Sequence, residues 1–168
     1  VQAAPIPENE ATRIASLRDL LILDTPPEER FDHITAFCST AFHVPIALVS
    51  LVDVNRQWFK SCYGLDVGET SRDISFCGHA IHSDKPLVIE DATKDPRFAD
   101  NPLVTGGPGI RFYAGQPLTL SDGQRVGTLC LIDRRPRRLD TDDLKMLSDL
   151  GRLVVRELED RARILHDA

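Results

Sequence analysis

Basic residues are in deficit: 20 lysines and arginines stand against 26 aspartates and glutamates, a formal charge of −6 at pH 7. A protein that holds nucleic acid by its phosphates is expected to carry the opposite sign, so nucleic acid is not an expected partner. Long apolar runs are missing too. Ile46-Ala47-Leu48-Val49 is interrupted by Ser50 and the segment ends at Asp53, far short of the roughly 20 residues a membrane-spanning helix needs. No membrane partner is expected either. Cysteine is sparse, with four residues at 38, 62, 77 and 130 and no C-x-x-C pair. That pattern predicts free thiols in the cytoplasm, not a disulfide framework. Val1-Gln2-Ala3-Ala4-Pro5 lacks a basic region followed by an apolar stretch, so no secretory signal is expected. An initiator Met is also lacking, as expected for a processed start or a piece of something longer. There is no internal repeat and no low-complexity tract.

What remains is the composition of one folded domain: 168 residues, 42% hydrophobic and 27% charged. At this length roughly 70% of the unfolded chain's surface is buried on folding. Ile14, Leu17, Leu20 and Leu21 recur at helical spacing and predict a first helix from about Asn9 to Leu23. Thr25, with Glu28 three residues on, reads as the cap of a second helix that carries Phe31, Ile34, Cys38 and Phe42 and stops at Pro45. Ile46–Val52 is apolar on both faces and predicts a central strand, with Arg56–Tyr63 following as a second. Residues 65–75 read as loop. Phe76–His82 predicts a short helix capped by Ser75 or Asp73, and Pro86–Glu90 a short strand. Asp91–Gly109 is the longest irregular stretch. Ile110–Leu120 and Arg125–Asp133 alternate around the turn chemistry of Ser121-Asp122-Gly123-Gln124. A last helix starts at Asp140, and Leu147, Leu150, Val154, Leu158 and Leu165 stripe it almost to the end. Strands in the middle and helices at both ends predict an α+β fold, an antiparallel sheet with the terminal helices on one face and irregular loops on the other.

Six ordered blocks make the chain similar to a known family. LDTPPEERFD (23–32), VPIALVSLVD (44–53), RQWFKS (56–61), SFCGHAI (75–81), FYAGQPL (112–118) and GTLCLIDRRPR (127–137) resemble a bacterial GAF domain across residues 5–160. Residues 1–4 are then an N-terminal tail and 161–168 the end of a linker helix. The resemblance implies a GAF-like (profilin-like) sheet of five or six antiparallel strands with a ligand pocket roofed by the short helix and the long loop. It also implies a small-molecule-sensing and dimerising module, not catalytic by itself. Such modules usually precede a diguanylate cyclase (GGDEF), phosphodiesterase (EAL) or histidine kinase output domain.

The densest candidate cluster is Cys77-Gly78-His79-Ala80-Ile81-His82. As a metal site it is weakened by spacing, because positions 77, 79 and 82 of a helix do not share one face and a fourth ligand would have to come from a distant position such as Asp91 or Cys130; no metal is assigned. Cys77 as a redox nucleophile needs a lowered pKa and a resolving thiol such as Cys62 or Cys130. The resemblance offers that chemistry in the free methionine-R-sulfoxide reductases, though their cysteine arrangement is not recognisable here. A bilin is disfavoured, since Gly78 separates Cys77 from His79, and the NK…F…DE pattern of cyclic-nucleotide-binding GAF domains is not recognisable. Haem through His43, His79 or His82 stays open, so the cofactor is unknown. Adjacent residues Phe112 and Tyr113 must face opposite sides of one strand, as must Trp58 and Phe59. Asp91 and Arg111 are the polar groups placed to orient a charged ligand. The candidate ligand-binding set is therefore Phe59, Cys77, His79, Asp91, Arg111, Phe112 and Tyr113, with no catalytic residue. Arg134-Arg135-Pro136-Arg137-Arg138 reads as a solvated turn or a contact to a partner domain. The striped last helix and the first helix predict a homodimer.

Overall fold

Ile46–Val52 (β1) and Arg125–Asp133 (β6) lie side by side at the centre of a six-stranded sheet in the computed structural model, which describes residues 1–168. Arg56–Tyr63 (β2) and Glu69–Ser71 (β3) extend it on one side, Phe112–Thr119 (β5) and Leu87–Ile89 (β4) on the other. The order is β3-β2-β1-β6-β5-β4, and every pairing is antiparallel. All seven residues of β1 are buried, which is why its sequence shows no polar alternation: both faces are covered.

The side-chain period of two divides the apolar residues into two cores. Ala47, Val49, Leu51, Trp58, Phe112, Ala114, Leu129 and Leu131 face a layer of three helices. These are Glu10–Asp19 (α1), Glu29–Phe42 (α2) and Thr141–Asp167 (α5). Ile46, Leu48, Phe59, Tyr113, Cys130 and Ile132 face the opposite way, under the short helices Cys77–Ala80 (α3) and Pro102–Thr105 (α4). The helix-side core holds 24 buried residues and the loop-side core 15, so the helix layer carries most of the hydrophobic stabilisation and the loop side is the thinner cover. α5 starts with a reciprocal cap: the Asp143 N–H donates to Asp140 Oδ1 at 2.8 Å and the Asp140 N–H to Asp143 Oδ2 at 3.1 Å.

Several sequence expectations are corrected. α1 ends at Asp19, because Leu21 takes a left-handed conformation that breaks the helix before Leu23. Thr25 does not cap α2. Its hydroxyl donates to the Ile22 carbonyl and accepts from Lys60 Nζ, and the helix starts after Glu28 with no side-chain cap. Residues 65–75 contain β3 and a 3-10 turn at Arg72–Ile74. β3 went unread because it is a polar edge strand held by backbone pairing to Arg56–Trp58. The stretch 91–109 contains a 3-10 turn at Ala92–Lys94 and α4, started by the Asp91 and Asn101 side chains. Ser75 does hold the start of α3, accepting the Gly78 N–H at 3.1 Å; Asp73 does not.

The stripe on α5 is also spent differently. Leu147, Val154 and Leu158 are buried against the sheet and α2, and Ile14, Leu17 and Leu20 of the first helical segment are buried with them. Of the residues assigned to a dimer seam, Leu165 is the one on α5 left exposed.

Candidate functional site

The loop-side core is hollow. A cavity of about 430 Å³ opens between the sheet and its thin cover, within the size range of small-molecule sites. Its floor is Leu48 of β1, Phe59 of β2, Tyr113 of β5, and Cys130 and Ile132 of β6; Phe76 and Cys77 roof it from the start of α3. Leu65, Val67, Leu103, Pro108 and Ile110 form the rim, with Arg134 at the mouth. The roof is stiffened by aromatic contacts. Phe76 stacks on Phe98 with centroids 4.1 Å apart and leans on Tyr113 at 5.0 Å.

The polar groups in this wall are mostly paired with one another. Gln57 Nε2 donates to Thr70 Oγ1, and Gln57 Oε1 accepts from Ser50 at 3.4 Å. Cys77 Sγ lies 3.0 Å from Thr128 Oγ1 and 3.3 Å from the Tyr113 hydroxyl. Gly115 makes room for that hydroxyl, since a Cβ there would stand 2.2 Å from it. Burial pushes the Cys77 thiol up, but hydrogen bonds from Cys130, Ser50, Thr128 and Tyr113 outweigh it and hold it below the usual thiol range. Its hydrogen bond to Cys77, and then burial, hold Cys130 well above that range, and burial does the same to Tyr113.

Of the residues expected at the site, Phe59, Cys77 and Tyr113 line the cavity. The other four do not. Phe112 points into the helix-side core, as the alternation with Tyr113 requires. His79 sits on the outer side of α3, its ring edge against Phe98 at 4.9 Å and its Nε2 bonded to the Gln2 carbonyl at 3.0 Å. Burial lowers its pKa. Asp91 lies in a separate open groove beside β4 and caps the Ala92–Lys94 turn. Arg111 donates to the Val104 and Ile110 carbonyls at 2.9 and 3.1 Å, tying down α4. Gln57, Thr70 and Arg134 were missed, and Cys130 was considered as a resolving thiol for Cys77 and not as a cavity residue. Period-two alternation from Phe59 reaches Gln57, and from Ile132 it reaches Cys130 and, just past the end of β6, Arg134; Thr70 gave no such signal. No group of three or more His, Cys, Asp or Glu is placed to hold a metal ion.

A second feature links this cavity to the helix layer. Lys60 follows Phe59 on β2 and so points the other way. Its ammonium is fully buried and meets Glu28 Oε2 at 2.8 Å. The same carboxylate takes Arg161 Nε of α5 at 2.6 Å, while Arg161 Nη1 donates to the Leu20 and Leu21 carbonyls. Burial pushes the Glu28 carboxyl up, and the hydrogen bonds from Lys60 and Arg161 bring it below its ordinary value.

The family model described as GAF domain matches residues 26–158. The chain is 46% identical over 152 residues to the cyclic di-GMP phosphodiesterase PA2567 of Pseudomonas aeruginosa, covering 90% of this chain and 26% of that protein. The chain thus spans about a quarter of that relative's length. Among solved structures, the fold matches free methionine-R-sulfoxide reductase from Neisseria meningitidis with a TM-score of 0.66 and 17% identity, covering 98% of each chain. It also matches the GAF domain of an Acinetobacter phosphoenolpyruvate-protein phosphotransferase with a TM-score of 0.65 and 17% identity, covering 94% of this chain and 98% of that one.

Proposed function

The chain belongs to the GAF domain family, and on that premise we propose that it is the small-molecule-sensing module of a bacterial signalling protein, without turnover of its own. The observation that carries this reading is the apolar cavity under the thin cover, one of whose strands is joined by ions to the last helix. A ligand that fits one arrangement of the loops better than another shifts the population of that arrangement. Movement of β2 at Phe59 displaces Lys60, its neighbour, and Lys60 shares Glu28 with Arg161 of α5. The signal then leaves along α5 toward an output domain. The phosphodiesterase relative supports an output domain of cyclic di-GMP signalling. A cytoplasmic location fits the four free cysteines and the lack of any helix long and apolar enough to cross a membrane. Association of two copies through the terminal helices would use the exposed Leu153, Ile164 and Leu165, because the buried stripe is occupied.

Native mass spectrometry of the freshly purified domain tests the sensing role. The expected result is a bound small molecule on the wild type that is absent from Leu103→Trp, whose larger side chain enters the cavity from the rim. Identical spectra for the two, with every bound mass retained in the variant, contradict the reading.

A second reading rests on Cys77. A thiol held below its usual pKa, in a cavity wall beside Cys130, is the arrangement that thiol reduction of a sulfoxide uses. Reduction of methionine sulfoxide by the wild type and not by Cys77→Ala would make the domain an enzyme and replace the first reading.

A further inference from the structure

Four arginines follow β6, and three are occupied. Arg135 and Arg137 pair with Asp133 at 3.5 and 3.0 Å, and Arg138 pairs with Glu90 at 3.4 Å. Arg134 has no carboxylate partner. Its Nε donates to the Pro108 carbonyl at 3.1 Å, which pins the guanidinium at the rim, and its two terminal nitrogens donate to no protein group. It is also the sole arginine or lysine lining the cavity, and no Asp or Glu lines it. The free arginine and the apolar cavity therefore coincide.

The interior restricts the ligand further. Gln57 already donates to Thr70 and accepts from Ser50, and Cys77 is engaged by Tyr113 and Thr128. A sugar or nucleotide placed there would bury more hydroxyls and amides than this wall has free groups to meet, at a cost of about 1–3 kcal/mol for each one left unpaired. An alkyl or aryl body loses nothing on entry. From this geometry we infer that the cavity takes an apolar monocarboxylate, with its hydrocarbon body among Phe59, Phe76, Ile110 and Ile132 and its carboxylate on the open fork of Arg134. The inference rests on reading the cavity as the sensing site and specifies its ligand class. Arginine suits the task because its planar fork meets a carboxylate through two parallel hydrogen bonds.

Calorimetric titration with decanoate and with 1-decanol tests it, since the two differ in charge and share a chain. Decanoate is expected to bind the wild type about tenfold more tightly than decanol, the effect of one charge-assisted contact. Arg134→Gln should erase that difference and leave decanol binding unchanged, and Leu103→Trp should block both. Equal affinities, or a preference for decanoate that survives in Arg134→Gln, overturn the carboxylate assignment while decanol binding keeps the cavity as a ligand site. Failure of both to bind overturns the ligand class, and the native mass spectra then judge the sensing role independently.

Discussion

Replacing Glu28 by Gln removes one charge from the junction of β2, α2 and α5 without changing its volume. Lys60 is left with Thr25 Oγ1 at 2.8 Å and the Pro26 carbonyl as neutral acceptors, and Arg161 keeps the Leu20 and Leu21 carbonyls. Breaking a buried ion pair by removing one partner costs about 3–5 kcal/mol, because the other charge stays buried. Here the Lys60 side chain is 0% exposed but that of Glu28 is 28% exposed, so water screens part of the loss. About 2–3 kcal/mol is expected, which for a domain of this size lowers Tm by roughly 5–10 °C. Urea unfolding followed by the single tryptophan, Trp58, measures it directly. Adding Lys60→Met to Glu28→Gln should recover much of the loss, since an apolar side chain needs no counter-charge. A loss below about 0.5 kcal/mol, the scale of an exposed ion pair, would refute the reasoning and leave α5 without its ionic link to β2.

Asp140→Ala should destabilise by about 1 kcal/mol in the same assay, through loss of the cap on α5. Gly115→Ala should cost about 1–3 kcal/mol and displace the Tyr113 ring, readable from its aromatic NMR signals, because a Cβ there collides with the hydroxyl. Acid unfolding should report Glu10. Burial pushes its carboxyl up, but hydrogen bonds from Arg13 and Arg72 outweigh burial and hold it at about 2. The unfolded chain titrates near the ordinary value of about 4.3, so this contribution is complete above that pH and is lost as pH falls toward about 2. Glu10→Gln should flatten that part of the stability profile, and an unchanged profile would count against the ion cluster.

The fold was legible where the side-chain period was unopposed. β1 and β6 are apolar runs covered on both faces, and the turn at Asp122-Gly123 fixed the β5–β6 pairing. What escaped reading was held by contacts distant in sequence. β3 is polar and exists through backbone pairing with β2, and Thr25 carries cap chemistry that Lys60, 35 positions away, redirects. The site divided in the same way. Alternation required Phe112 and Tyr113 to face opposite sides but could not say which side held the cavity. Asp91 and Arg111 have the chemistry of ligand contacts, yet neighbouring backbone groups occupy both. Arg134 stood among identical neighbours, and its position at the cavity mouth and its lack of a carboxylate partner set it apart.

Amide hydrogen exchange along α5, compared between the wild type and Leu103→Trp, tests most directly whether the cavity speaks to the exit helix. Occupying the cavity with the tryptophan side chain should push on β2 and alter protection at residues 156–167, beyond Val154, by at least about threefold in exchange rate, the equivalent of a fraction of a kcal/mol in local opening. Leu87–Ile89, on the far edge of the sheet, should stay unchanged. A change confined to α3 and α4, with α5 exchanging as in the wild type, would contradict the account and leave the cavity uncoupled from the helix that must carry its signal.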